Sequence, residues 1–218
     1  MEITYHDGAV VELSFDKKLH AYRVEGKPVH SATKVLSVIS KPALIPWSLK
    51  MGSDWLEKHM FHDEELDQDP RGVFTYTSRM TLDALIKDDN DAKNSIEAFE
   101  LWVGENDIDF ISSEEKVYSR EDHYAGTLDC AAYVNGSLCI IDWKTSKAIY
   151  PEYHLQNAAY AKAWEDIHGK PVEQTLVLRL DKSTGRYEQG YQSTVEWNKN
   201  YEAFICALNL YNRLKELR

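Results

Sequence analysis

Asp129, Asp142 and Lys144 are the residues whose types and spacing could do chemistry. Two carboxylates can share a hard divalent cation, and an amine beside them can hold a phosphate or polarise an attacking water. That chemistry requires the chain to bring the three together. The segment from Gly126-Thr127-Leu128-Asp129 to Val134 meets Asn135-Gly136 and returns as Leu138-Cys139-Ile140-Ile141-Asp142-Trp143-Lys144. Asn-Gly between apolar runs predicts a two-residue type I′ turn, which needs positive φ at both central positions. Val134 then pairs with Ser137, paired numbers sum to 271, and Asp129 faces Asp142. Side chains alternate between faces, so Thr127, Asp129, Asp142 and Lys144 share one face. Leu128, Cys130, Ala132, Val134, Cys139, Ile141 and Trp143 share the other, which reads as core. A three-residue loop with a bulge would instead make the sum 272 and turn Asp142 to the wrong face.

Facing carboxylates, with Cβ atoms roughly 5 Å apart, repel each other unless something positive lies between them. Mg²⁺, or Mn²⁺ in its place, is the economical partner for such oxygen donors. The competing reading is a solvated hairpin face with no role for its charges.

The 218 residues suffice for a full core and fit one domain. Hydrophobic content of 43% and six tryptophans argue for a globular protein. No apolar run approaches the length of a membrane span, and the opening MEITYHDGAV lacks a signal peptide's basic and apolar regions. Three cysteines without metal-type spacing (Cys130, Cys139, Cys206) fit a reducing cytoplasm, with neither disulfides nor zinc expected. The net charge of −11 argues at first against a nucleic-acid partner. Its distribution weakens that objection: residues 51–121 carry nineteen acids against seven bases, whereas residues 122–218 carry twelve against eleven.

The first thirty residues alternate like strands, at Val10–Phe15 and Ala21–Val24, predicting an N-terminal hairpin. A short helix capped at Ser31 runs to Ile39 and stops at Lys41-Pro42. Pro46 opens a further helix carrying Trp47, Met51 and Trp55, and residues 62–72 read as a loop. Between 80 and 104 a stripe of Ala92, Ile96, Phe99 and Val103 predicts a helix stopped by Gly104. A strand at Lys116–Tyr118 precedes the hairpin, and a helix from about Glu152 to His168, closed by Gly169, follows it. Strands at 175–180 and 186–191 flank a turn. A last helix starts at a Ser193/Glu196 capping box and buries Trp197, Tyr201, Phe204, Leu208, Tyr211 and Leu214. This order predicts an α/β fold with a central mixed β-sheet flanked by helices.

Gly126-x-x-Asp129, then Ile141-Asp142-Trp143-Lys144-Thr145-Ser146-Lys147, then Gln156-x-x-x-Tyr160 resemble the PD-(D/E)XK nuclease superfamily, in its RecB-like, phage-type exonuclease branch. Ser31-x-Thr33 through Lys41-Pro42-Ala43-Leu44-Ile45-Pro46-Trp47 resembles the lead segment of phage exonucleases of that branch. The resemblance implies a restriction-endonuclease-like core over residues 113–218, preceded by an N-terminal hairpin and helical part over 1–112 of a single nuclease domain. It implies that Asp129 and Asp142, helped by the Trp143 carbonyl, ligate Mg²⁺, and that Lys144 positions the hydrolytic water. Glu115 matches an acidic position that binds a second ion or its water. Gln156, Tyr160, Thr145, Ser146 and Lys147 are implied to face DNA. The implied activity is exonucleolytic hydrolysis of DNA with free ends, leaving 5′-phosphates, in phage-type recombination or DNA processing. A single-strand annealing protein is the implied partner, and a homo-oligomer would supply processivity.

The chain also departs from the pattern. Many members carry a metal-binding histidine four residues ahead of a glutamate like Glu97, and here that position is Lys93. His59 and His62 are near only in sequence. An endonuclease with the same site, or a non-catalytic DNA-binding or assembly factor keeping the fold, therefore remain alternatives. Lys144, Lys147, Arg179, Lys182, Arg186 and Arg120 are candidate phosphate contacts, and Trp47 and Tyr153 could stack on single-stranded ends.

Overall fold

The computed structural model describes residues 1–19, 21–39 and 89–217. The expected stop at Lys41-Pro42, the helix from Pro46, the loop at 62–72 and both His59 and His62 lie outside the described residues.

Four strands open the chain: β1 (Glu2–Thr4), β2 (Val10–Asp16), β3 (Ala21–Val24) and β4 (Lys27–Ser31). The expected hairpin is the antiparallel pair β2–β3, extended by a strand on each side. The Ser31 Oγ accepts the Lys34 N–H and caps α1 (Ala32–Leu36). Helix α2 (Asn90–Glu105) is capped by Asp89 and buries Ala92, Ala98 and Trp102. It runs one residue past Gly104, because Asn106 leaves the helical conformation and its side chain takes the Trp102 carbonyl.

The core follows as β5 (Ile108–Ser119), β6 (Tyr124–Val134), β7 (Ser137–Lys144), α3 (Pro151–His168), β8 (Gln174–Asp181), β9 (Arg186–Ser193) and α4 (Thr194–Glu216). Strand β5 is longer than the expected Lys116–Tyr118 and begins ahead of residue 112. Pro151 opens α3, where its missing N–H costs nothing, and Gly169 closes it in the left-handed region at φ 65. Ser193 and Glu196 form the expected capping box on α4. Trp197, Phe204 and Leu208 are buried on that helix, and Tyr211 packs edge-on against His30. Leu214, expected in the core, is 44% exposed, since the last turns of α4 outrun the sheet.

The nine strands among the described residues join one mixed sheet, ordered β1-β2-β3-β4-β6-β7-β8-β9, with β5 on the remaining edge of β6. The β6–β7 register runs from Val134↔Ser137 to Cys130↔Ile141, so pairs sum to 271. Asn135 and Gly136 have φ of 51 and 84, as a type I′ turn requires. Helices cover both faces, so both are core. Leu138 and Ile140 pack with α3 and α4, whereas Cys139 and Ile141 pack with α2. Leu128 departs from the expected alternation and joins the α3 side, unlike Cys130. At the same level of the neighbouring strand, between the Ser113↔Cys130 and Glu115↔Leu128 pairs, Glu114 has a positive φ of 50. Among the described residues no helix is long and apolar enough to cross a membrane.

Candidate active site

Strand β6 has one edge fully paired and one edge partly open. On the first, β5 pairs from Ile108↔Val134 to Ser119↔Tyr124. On the second, β7 covers Cys130–Val134 and β4 runs parallel to Tyr124 and Ala125. Between them, Gly126 to Asp129 have no partner strand on that edge among the described residues. Strand β7 continues instead along β8, as far as Lys144↔Arg179. The Asp129 Oδ2 accepts the Trp143 N–H at 2.8 Å, where continued pairing would supply a main-chain acceptor. The parting of the two strands therefore opens a notch, and the two aspartates stand on either side of it.

Asp142 is 1% exposed, and the Lys144 Nζ lies 2.5 Å from its Oδ2. That contact is a charge pairing with poor hydrogen-bond geometry, and neither Asp142 oxygen accepts a well-formed hydrogen bond. A buried carboxylate with unsatisfied lone pairs is costly. Burial, then the Asp142 charge, pushes the Asp129 carboxyl up to about 7, against the pull of Lys144 and the Trp143 N–H. Burial also pushes Asp142 up, outweighing Lys144. Burial alone would lower the Lys144 amine, but the attraction of Asp142 and Asp129 wins and raises it. A buried carboxylate with no well-formed hydrogen bond, beside a second, repelled carboxylate, fits a small divalent cation. Among the described residues no third His, Cys, Asp or Glu completes a side-chain cluster, so other positions would fall to main chain, water or substrate.

Gln156 and Tyr160, one turn apart on α3, are also brought here. The Gln156 Nε2 donates to the Tyr160 hydroxyl at 2.8 Å, which gives the otherwise unpaired amide its partner. The Tyr160 hydroxyl is pushed far above its ordinary range, by burial first and then by Asp142, with Thr33 beside it acting the other way. The Tyr160 ring lies directly over Gly126: a Cβ there would sit 2.3 Å from its Cε1. Tyr160 is 4% exposed and cannot swing aside, so Gly126→Ala should destabilise the fold by roughly 1–3 kcal/mol, read by urea unfolding. A variant as stable as the wild type would mean that this packing is loose. Across the notch, the Tyr22 and Thr127 hydroxyls are 2.7 Å apart and tie β3 to β6.

Other expected residues are placed elsewhere or engaged. The Glu115 carboxylate accepts from Ser112 Oγ and Trp164 Nε1 and pairs with His168 at 2.7 Å, so it is not brought to the aspartates. Its neighbour Glu114 is the acid whose charge acts on Asp129. Thr145 and Lys147 are exposed beyond the end of β7, whereas the Ser146 Oγ donates to the Ala148 carbonyl. The helix carrying Lys93 and Glu97 packs on the opposite face, with Glu97 beside Gly185 in the β8–β9 turn, so it does not supply the missing histidine position. Three expected phosphate contacts are paired within the chain: Arg120 with Asp7 and Asp166, Arg179 with Asp181 and Glu188, and Lys182 with Asp91.

Glu114 and His154 went unnoticed in the sequence. Glu114 has a positive φ of 50, which strand alternation does not anticipate. His154, one turn into α3, feels the Asp142 charge, while burial pushes its imidazole below the usual range. Its Nδ1 is buried without a partner.

No family model matches the chain, and no curated protein matches it. Matching solved structures include SSO0001, at 15% identity over 78% of this chain and 86% of that one, with a TM-score of 0.35. They also include an alkaline exonuclease, LHK-Exo, from Laribacter hongkongensis, at 12% identity over 85% of this chain and 91% of that one, with a TM-score of 0.35. Neither likeness is close enough to carry an argument about activity, so the reading of this site rests on its own geometry.

Proposed function

We propose that the chain is a Mg²⁺-dependent deoxyribonuclease that hydrolyses phosphodiester bonds from the ends of linear DNA, as in phage-type recombination or DNA processing. The observation that carries this reading is the Asp142 carboxylate, almost wholly buried, close enough to Asp129 for the two charges to repel, and paired with the Lys144 amine. Asp129, Asp142 and the Trp143 carbonyl would hold the ion, which when bound supplies water activation and neutralises charge on the phosphate. Lys144 keeps a positive charge at neutral pH, because both aspartates raise its pKa. Its amine donates to the attacking water or a phosphate oxygen and offsets charge developing there. Gln156 and Tyr160 hold the wall of the notch against the β6 main chain through their mutual hydrogen bond and the packing on Gly126. Thr145, Ser146 and Lys147, which follow the end of β7, would be the contacts for a nucleic-acid backbone leaving the notch.

End-labelled linear DNA and covalently closed circular DNA, each incubated with Mg²⁺ or with EDTA, test the reading. Linear DNA should be degraded with Mg²⁺ only, the closed circle should resist, and Lys144→Ala should be inactive. Cutting of the closed circle at a comparable rate would make the enzyme an endonuclease. Cleavage undiminished in EDTA would remove the metal from the account.

A further inference from the structure

Among the described residues the Lys144 amine has two partners, and only one of them can stay the same when the site is loaded. The Asp142 carboxylate, 2.5 Å away, is the group proposed to take a cation, which would compete with the amine for the same oxygen. The second partner is the face of Tyr153, whose ring centroid is 5.1 Å from the Nζ. That separation is within the range in which an aromatic face attracts an ammonium group. The ring is itself held. Tyr153 lies in the first turn of α3, which Pro151 opens, and Tyr150 packs edge-on against it with centroids 5.6 Å apart. The Tyr153 N–H also bonds the Tyr150 carbonyl at 3.1 Å, fixing the turn that carries both rings.

We propose that Tyr153 is a positioning residue for Lys144, its ring face holding the amine over the notch when the Asp142 carboxylate is committed to a cation. The inference rests on the nuclease reading for its functional consequence, and on ring and amine geometry alone for its structural one. A four-carbon stem with free rotors would otherwise let the amine swing towards Asp129 or solvent. The ring supplies an apolar, electron-rich surface that competes with neither the ion nor the phosphate. What matters is the aromatic face, so the Tyr153 hydroxyl is dispensable.

Two readouts on Tyr153→Phe, Tyr153→Leu and Tyr153→Met test this. The first is the proton shift of the Lys144 ε-methylene by NMR, with and without Mg²⁺. In the wild type the ring should move it upfield, and the displacement should survive Mg²⁺. Tyr153→Phe should keep it, whereas Tyr153→Leu and Tyr153→Met should lose it at unchanged Tm. The second is steady-state kinetics on linear DNA: loss of the ring should lower kcat about tenfold with KM unchanged, and Tyr153→Phe should stay within about twofold. An ε-methylene that is not displaced in the wild type, or that returns to its ordinary position on adding Mg²⁺, overturns the proposal. So does a Tyr153→Phe defect as large as that of Tyr153→Leu, or a change confined to KM. If the wild-type protein cleaves no DNA, the nuclease reading fails, while the NMR readout still decides whether the ring holds the amine.

Discussion

Asp142→Asn is expected to lower cleavage of linear DNA by on the order of a thousandfold while leaving the metal-free protein at least as stable as the wild type. The two effects have one cause. Asp142 is a fully buried carboxylate whose oxygens lack well-formed hydrogen bonds and face a second carboxylate. Asparagine keeps the shape, removes the buried charge and ends the repulsion with Asp129. The cost is the lost pairing with Lys144. That amine is about one-fifth exposed, and it retains the attraction of Asp129 and the Tyr153 face. Keeping the acid's charge away from water costs more than the pairing returns, so stability should hold or rise. Asp129→Ala and Lys144→Ala should lose cleavage to a similar degree, since each removes one of the groups that neutralise or organise the reacting phosphate. Rates on end-labelled DNA beside thermal unfolding of each variant give the answer. Wild-type cleavage in Asp142→Asn would end the proposal that this carboxylate serves the reaction.

The second large effect is on stability as a function of pH. In the absence of metal, Asp129 should make the protein less stable as pH rises from about 4 to about 7. Burial first, and Asp142 second, raise its pKa from 3.8 to about 7. Between those values the folded protein holds a proton that the unfolded chain has released. The stabilisation is therefore complete at the acid end and is lost as pH passes the folded value. The size is a few kcal/mol, roughly 2–4, and Asp142 adds in the same direction. Asp181 and Glu196, whose pKa values are held down by backbone N–H bonds, act in the reverse sense at lower pH. The readout is accordingly the difference between wild type and Asp129→Asn in urea unfolding at pH 4.5, 6 and 8. The wild type should lose stability relative to the variant as pH rises, and Mg²⁺ should restore it at pH 8. Parallel pH profiles would mean that Asp129 is not held in a strained, repelled state.

The register of the central hairpin was legible because it is written in local chemistry. Asn135-Gly136 can take the two positive φ values of a two-residue turn, and the turn sets every pair up to Cys130↔Ile141. The caps at Ser31 and Ser193 and the stop at Gly169 were legible for the same reason: each depends on side chains within a turn of the helix end. The Gln156/Tyr160 pair follows from helical periodicity, whereas the ladder ends at Cys130↔Ile141, one pair short of Asp129 and Asp142.

Other features depend on residues distant in sequence. Glu115 is engaged by Ser112, Trp164 and His168, whereas Glu114 takes a positive φ within the β5–β6 ladder and its charge acts on Asp129. Arg120, Arg179 and Lys182 read as free cations along the chain. Folding brings Asp7 and Asp166 against Arg120 and Asp91 against Lys182, while Arg179 finds Asp181 and Glu188 within its own hairpin, so half of the expected phosphate patch is already paired.

By itself the sequence determined which side chains a tight turn sets opposite each other and where helices begin and end, because those are contests among neighbours along the chain. It took the tertiary arrangement to leave, among the described residues, a four-residue opening between β4 and β7 on one edge of β6, with Gly126 thin enough to admit the Tyr160 ring. That arrangement also decided that Asp142 is sealed from water beneath α3. Strand partnership and burial are set by competition among segments for the same edges and faces, and that outcome has no signature in the spacing of residues.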